Sequence, residues 1–397
     1  MALVPSLEPQ QSADTTATRT AHAPPSVIAA CMTIGTVSML ILGLQPALYG
    51  ALVEEHRLTD TQLGPIATAE LLTFALGASI GPMILVRGRL RTLTAFFSLS
   101  MALLNPAIFL MRSALAIATL RGLCGFAEGM LMAAAIVITT NDRYPDRLTA
   151  LMLGISTIPQ AILAYLIPRF VIPQYGSTGG FAIVGLFSIF GIVAAYWMRP
   201  PTMIQVHQRH AGSRWNVPVV LAVSAILLQS VAIGAGWEYV QRLGDFHQFS
   251  SRITGLAVSG ALVFQVIVVF AVAAWGRKLD YHWALILGTL GQAAVVVTLA
   301  LVATTLPYLI GVFLFGAMWL ALNPFQVLLL IEVDPSRRIA MQQTGLNLVA
   351  LSIGPAIGAL GVRDTDVRGA YWIAAAILVA SGIMFMWARS HRRVLTM

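Results

Sequence analysis

Charge is scarce in this 397-residue chain: 10% of its residues are Asp, Glu, Lys or Arg and 58% are hydrophobic, whereas a water-soluble domain carries about 25% charged residues. That balance excludes an ordinary soluble domain and points to lipid as the solvent. Cysteine is nearly absent, and both copies, Cys31 and Cys124, lie inside apolar runs. A disulfide framework and spaced metal ligands are thereby excluded, and both cysteines are expected to pack between helices. The seven histidines fall in tails, loops or at a helix end, His56, His207, His247 and His282 among them. No His-based relay, metal cage or nucleophile with its base sits at depth, so an enzyme is not expected, nor a cofactor or metal. A removable signal peptide is also missing: the first 26 residues are polar, contain proline and lack a short apolar core with a small-residue cleavage site. They are expected to form a disordered cytosolic tail.

Apolar runs of about 20 residues or more, each long enough to cross a hydrocarbon core of about 30 Å, recur along nearly the whole chain. Breaks at Pro, Gly and charge clusters predict spans over 27–52, 61–86, 93–112, 115–140, 148–172 and 178–198, then 216–241, 252–275, 282–303, 307–331, 340–362 and 369–389. The fold class is therefore an all-α polytopic membrane protein of twelve transmembrane helices. The net charge of +8 sits in short clusters at the ends of these runs, a pattern of topology rather than of nucleic-acid binding. With both termini in the cytosol, the cytosolic side holds Arg87, Arg89, Arg91, Arg199, Arg209, Arg214, Arg277, Lys278, Arg337, Arg338, Arg389, Arg392 and Arg393, together with Arg19, Arg143 and Arg147. Glu54, Glu55 and Asp60 lie on the opposite side, as a positive-inside rule requires.

The two halves share a pattern. Gly64-Pro-Ile-Ala-Thr-Ala-Glu-Leu-Leu falls on Gly255-Leu-Ala-Val-Ser-Gly-Ala-Leu-Val, and Arg147-Leu-Thr-Ala-Leu-Met-Leu-Gly154 on Arg338-Ile-Ala-Met-Gln-Gln-Thr-Gly345, both at an offset of about 191 residues. The one sizeable polar interruption, with Pro200, Pro201, His207 and His210, falls at the midpoint. The expected organisation is a tail over 1–26, a six-helix bundle over 27–198, a cytosolic linker over 199–215, a second bundle over 216–389 and a tail over 390–397.

Gly81-Pro-Met-Ile-Leu-Val-Arg-Gly-Arg-Leu-Arg91, between the second and third spans, resembles the loop of the major facilitator superfamily in Gly81, Gly88 and the basic residues Arg87, Arg89 and Arg91, with Leu85 where that family has an aspartate. Gly276-Arg-Lys-Leu-Asp280 is a partial echo between the eighth and ninth spans. Arg121 followed by Gly125 resembles the family's fourth-helix pattern, and Gly129 follows one turn on. The resemblance covers the chain from the first span to the last. It implies a secondary transporter with two six-helix bundles working by alternating access, a monomer in a bacterial inner membrane. It also implies a gating role for the loop, which the missing aspartate puts in question, and a part for Arg121 in proton transfer.

An arginine inside lipid needs a partner. Glu128 lies two turns away on the same face of its helix, and Glu70 and Glu238 are the other carboxylates within spans. Burial favours a neutral carboxyl and a neighbouring arginine a charged one, so such a group can alternate between bound proton and ion pair. A static ion pair for Glu128 and surface snorkelling for Glu238 are the structural alternatives. In the resembled family spans 1, 4, 7 and 10 line the centre, which nominates Gln45, Tyr49, Gln229, Trp237, Tyr239, Trp319, Asn323 and Gln326 for a solute cavity. Tyr49, Trp237 and Tyr239 could equally form an interfacial aromatic belt. Gly77 with Gly81, and Gly354 with Gly358, are small faces for close helix packing, as sliding surfaces or static contacts. The fifth span lacks the glycines that follow Gly-Pro in the family's drug antiporters, so proton-coupled uptake of a small organic solute is the leading expectation. Efflux is the second, and a non-transporting receptor the third.

Overall fold

The computed structural model of the protein describes residues 23–85, 89–142, 145–199, 216–275, 278–334 and 338–395. Its elements are α1 (Pro25–Glu54), α2 (Asp60–Leu85), α3 (Leu90–Leu104), α4 (Ala114–Thr140), α5 (Pro145–Leu166), α6 (Ile172–Ala195) and α7 (Val217–Trp237). They continue with α8 (Val240–Phe246), α9 (Ser251–Trp275), α10 (Tyr281–Leu301), α11 (Thr305–Ala321), α12 (Asn323–Val333), α13 (Arg338–Ala359) and α14 (Arg368–Leu395). Helices are what an apolar solvent demands, because each satisfies its backbone groups within one segment.

Among the described residues, fourteen α-helices make twelve crossings. The seventh span ends at Trp237 rather than Gln241, and α8 is a short helix beyond it. The tenth span, Thr305–Val333, is broken between α11 and α12 at Leu322, where Pro324 near the start of α12 can donate no hydrogen bond upward. Pro106 likewise turns the end of the third span into a tight 3-10 turn over Pro106–Leu110. Pro46, Pro65, Pro82, Pro159 and Pro355 stay inside their helices. The fifth span runs through a wider turn at Ile167–Val171 to Gly176, whose φ of 63° reverses the chain into the sixth. There the Glu55 carboxylate accepts the Ser177 N–H and the Ser177 hydroxyl, placing an anion at a helix N-terminus.

Large apolar side chains face outward all round the molecule, among them Leu115 at 78%, Met83 at 73% and Phe270 at 67% exposure. On a soluble protein such a surface would aggregate; here it is the lipid-facing wall.

An even number of crossings puts Pro25 and Leu395 on one face, called here the terminal face; the α1–α2 turn lies on the other, the far face. The core is distributed unequally between them. One cluster joins both halves through Leu48, Leu52, Leu63 and Ala164 of the first and Trp237, Tyr239, Leu243, Ala257 and Ala261 of the second. Toward the terminal face the core splits. Val27, Cys31, Ile34, Met130, Ala134 and Met152 form a cluster of the first half, with Leu348 resting on it, and Val219, Ala222, Ile226, Leu329 and Phe385 form one of the second. Buried apolar contacts thus join the halves in one cluster toward the far face, and toward the terminal face each half has a cluster of its own.

Candidate functional site

Close approach of α2 and α4 creates the site. A Cβ on Gly125 would collide with the Glu70 carbonyl oxygen, and one on Gly129 with that of Phe74. A Cβ on Gly77 would stand 2.5 Å from the Phe126 carbonyl oxygen, and Gly81 meets the Ala133 side chain. These glycines bring the two backbones together, so Arg121, one turn above Gly125, reaches Glu70 directly. Gly77 and Gly81 therefore pack within the first half, and Gly354 and Gly358 pack within the second, against Val231, Gly234 and Ala235 of α7. At the junction of the halves a Cβ on Gly64 would strike the Pro355 carbonyl oxygen, and Gly50 meets Gln241 and Gly255 the Ala164 carbonyl oxygen less tightly.

Arg121 is fully buried and its Nη2 pairs with Glu70 Oε1. Glu128, the partner favoured by spacing on the helix, stands farther off, its Oε1 3.8 Å from the same Nη2. Arg121 Nη1 donates to Asn105 Oδ1 at 2.8 Å, and its guanidinium lies 4.7 Å from the centre of the Phe181 ring. The other oxygen of Glu70 accepts Gln45 Nε2 at 2.8 Å and the Tyr49 hydroxyl. Tyr49 is fully buried rather than set in an interfacial belt. Both Glu128 oxygens and Arg121 Nε are buried without a hydrogen-bond partner. One carboxylate is saturated and a second waits beside the same cation. Two buried carboxylates against one guanidinium leave one negative charge uncompensated unless a proton is bound, at a cost of several kcal/mol.

Glu238 does not snorkel: it is 1% exposed at the end of α7, and its Oε1 has no partner. With Leu42, Gln45, Leu71, Trp237, Trp319 and Pro355 it lines a narrow, water-sized cleft between the halves. Trp237 donates its indole N–H to the Leu42 carbonyl at 3.0 Å across the halves and meets Trp319 edge to face, with ring centres 5.8 Å apart. Tyr239 is buried and donates to the Asp60 carbonyl at 3.4 Å.

A second polar chain crosses the other half. Gln343 Nε2 donates to Gln326 Oε1 at 2.8 Å, Gln326 Nε2 to Gln229 Oε1 at 2.8 Å, Gln229 Nε2 to Gln292 Oε1 at 3.1 Å, and Gln292 Nε2 to the Phe315 carbonyl at 3.5 Å. Asn347 joins at Gln326. Asn323 is half-buried at the break before α12 and belongs to neither network.

On the far face Arg242 of α8 grips Asp60 of α2 with a two-pronged bond, Nε to Oδ1 at 2.6 Å and Nη2 to Oδ2 at 3.1 Å, and reaches Asp245 at 3.1 Å. The Ala356 N–H donates to Thr68 Oγ1 at 2.9 Å beside it. On the terminal face Arg89 and Arg91 are exposed, and Arg91 lies 4.2 Å from the centre of the Tyr196 ring. Gly88 and Arg87 fall outside the described residues. Leu85, which occupies the aspartate position of the loop motif, is buried.

Sequence reasoning missed Asn105, Gln292, Gln343 and Arg242. The first three are uncharged amides in mid-span or at a span end, a residue type that also serves for simple packing. Arg242 reads as a surface residue until α8 folds it over Asp60.

No curated protein sequence matches the chain. Among solved structures it is similar to a point mutant of the nucleoside transporter NupG, with a TM-score of 0.78 at 9% identity over 91% of this chain and 99% of that one. It is similar to the xylose transporter XylE from E. coli in an inward-open conformation, with a TM-score of 0.70 at 15% identity over 91% and 95% of the two chains. A bacterial homolog of the human lysosomal transporter Spinster, inward-facing and unoccupied, gives 0.65 at 14% identity over 92% and 96%. The family model described as Major Facilitator Superfamily matches residues 27–338. That match runs through both halves and takes in Glu70, Arg121, Glu128 and Glu238, and with it the chain belongs to the major facilitator superfamily, a family of transporters rather than enzymes.

Proposed function

We propose that this protein is a proton-coupled secondary transporter that imports a small organic solute by alternating access, with Arg121, Glu70 and Glu128 as its coupling group. The supporting observation is the buried constellation in which Arg121 pairs with Glu70 while Glu128, with one oxygen 3.8 Å from the same guanidinium, has no hydrogen-bond partner on either oxygen. A proton on Glu128 leaves the Arg121–Glu70 pair balanced; losing it lets Glu128 compete for the guanidinium. That exchange alters the α2–α4 junction and, through α2, the contact with α13. The two halves act as rigid bundles over 27–198 and 216–389, monomeric in a bacterial inner membrane. The termini are cytosolic and the far face is periplasmic.

Proton-exchanging efflux is the second reading, favoured by Glu238. An unpaired carboxyl in the cleft can take a proton and a solute in turn.

Proteoliposomes separate the readings. Labelled xylose and labelled uridine, a nucleoside, follow the solute classes named for the similar carriers, and these and labelled 2-phenylethylamine are offered under a pH jump. Import predicts accumulation of at least one when the outside is acid; efflux predicts accumulation when the inside is acid. E70Q and E128Q should each lower gradient-driven accumulation at least tenfold while solute exchange without a gradient persists. Unchanged pH coupling in both variants would remove the assigned role, and binding without accumulation would make the protein a receptor.

A further inference from the structure

We infer that the cleft between the halves, water-sized in this state, takes an organic cation when the halves part, a protonated amine on a flat apolar body with Glu238 as its counter-charge and the Trp237–Trp319 pair as its wall. This deepens the transporter reading and rests on it only in treating the cleft as the solute's path. The first argument is charge. Glu70, Glu128 and Glu238 are buried within the same region, and only Arg121 among them is positive. Three carboxyls against one guanidinium leave two negative charges, or two bound protons, to be accounted for. Neither nearby arginine is free to help Glu238. Arg121 is held by Glu70 and Asn105, and Arg242, one turn beyond Glu238, is held by Asp60 and Asp245. A proton on Glu128 balances one charge; the other, at Glu238, is met by a second proton or by an incoming cation.

The second argument is the lining. Glu238 Oε1 is buried and unpartnered in a cleft whose other walls are Leu42, Leu71, Pro355, Gln45 and two indoles. The Trp237 N–H is already committed to the Leu42 carbonyl, so that ring offers the cleft its π-surface rather than a donor. Indoles attract cations, more strongly where water is excluded, and repel anions from the same surface. Carboxylate, indole and aliphatic walls together suit a positive head on an apolar body. An anionic solute would face Glu238 and the π-surfaces with no cation among the cleft's lining residues to meet it.

The test uses full-length protein in detergent at pH 7.5 and three probes of similar size: 2-phenylethylamine, its neutral counterpart 2-phenylethanol, and phenylacetate. Binding is followed by tryptophan fluorescence and thermal unfolding, since a ligand selective for the folded state raises its stability. The amine should bind at least tenfold more tightly than the other two. E238Q should remove that preference, E238D should restore part of it, and W319A should weaken the amine while W319F does not. Equal affinity for all three probes, failure of the amine to bind, or an amine preference unchanged in E238Q would overturn the inference. The proton-coupling proposal stands or falls separately. Gradient-driven accumulation of uridine or xylose without amine binding would keep coupling and sink the cation site. Amine binding with no gradient-driven transport of any probe would do the reverse.

Discussion

Arg121 carries the heaviest consequence of any single residue. Removing one partner of a buried pair strands the other's charge at a cost of about 3–5 kcal/mol, whereas replacing both with neutral groups of similar shape is often nearly neutral. R121Q should therefore lower the apparent unfolding temperature of the purified protein sharply, E70Q less so because a neutral amide can still accept from Arg121, and E70Q combined with R121Q should recover most of the loss. A double variant no more stable than R121Q alone would show that the pair is not the unit described. Arg121 and Glu128 were legible in the sequence because an ionisable residue in an apolar run stands out and heptad spacing puts the two on one face. The choice of Glu70 as the closer partner was not. It depends on how near α2 comes to α4, and the glycines that set that distance are equally consistent with lipid-facing or inter-bundle packing.

At the scale of elements, the junction of the halves on the far face combines tight packing with a titratable lock. Gly64 of α2 sits against the Pro355 carbonyl of α13, so a G64A side chain has nowhere to go without parting the helices. That variant should raise the labelling of a cysteine placed at Thr61, an exposed position at the start of α2, and labelling no faster than in the parent would refute the contact. The lock has a pH dependence of its own. Burial pushes the Asp245 carboxyl from its ordinary 3.8 up to about 7, Glu54 adds to the rise, and Arg242 and Gln241 oppose it. Opening the far face returns Asp245 to water, so the closed form binds the extra proton between about pH 4 and 7. Closure is favoured as pH falls through that window, loses this contribution as pH rises through 7, and changes no further above about 8. Labelling at Thr61 should follow that curve, and D245N should flatten it. The spans themselves were readable from hydropathy to within a few residues. The break at Leu322 and the short α8 were not, because both lie inside or just beyond stretches apolar enough to read as one helix.

On the scale of the whole molecule, the core explains the state. A single apolar cluster joins the halves toward the far face, while toward the terminal face each half keeps a cluster of its own, with Leu348 of the second touching the first. The twofold pattern near an offset of 191 residues foretold two bundles, since each must bury its own helices before it can move as a body. Which end is shut was not written in that pattern, because closure is carried by side chains such as Trp237, Tyr239 and Arg242 that read equally well as belt or surface residues. The two faces must exchange roles if the protein carries solute by alternating access. The most direct measurement is pulsed electron-spin distances between nitroxide pairs on a background lacking Cys31 and Cys124. One pair, Thr61 with Ser250, spans the far face; the other, Thr140 with Gln342, spans the terminal face, and all four positions are exposed. Across changes of pH and added solute, the short far-face population should fall in step with a rise in the short terminal-face population. Distances that stay fixed under every condition, or that lengthen together on both faces, would contradict the account.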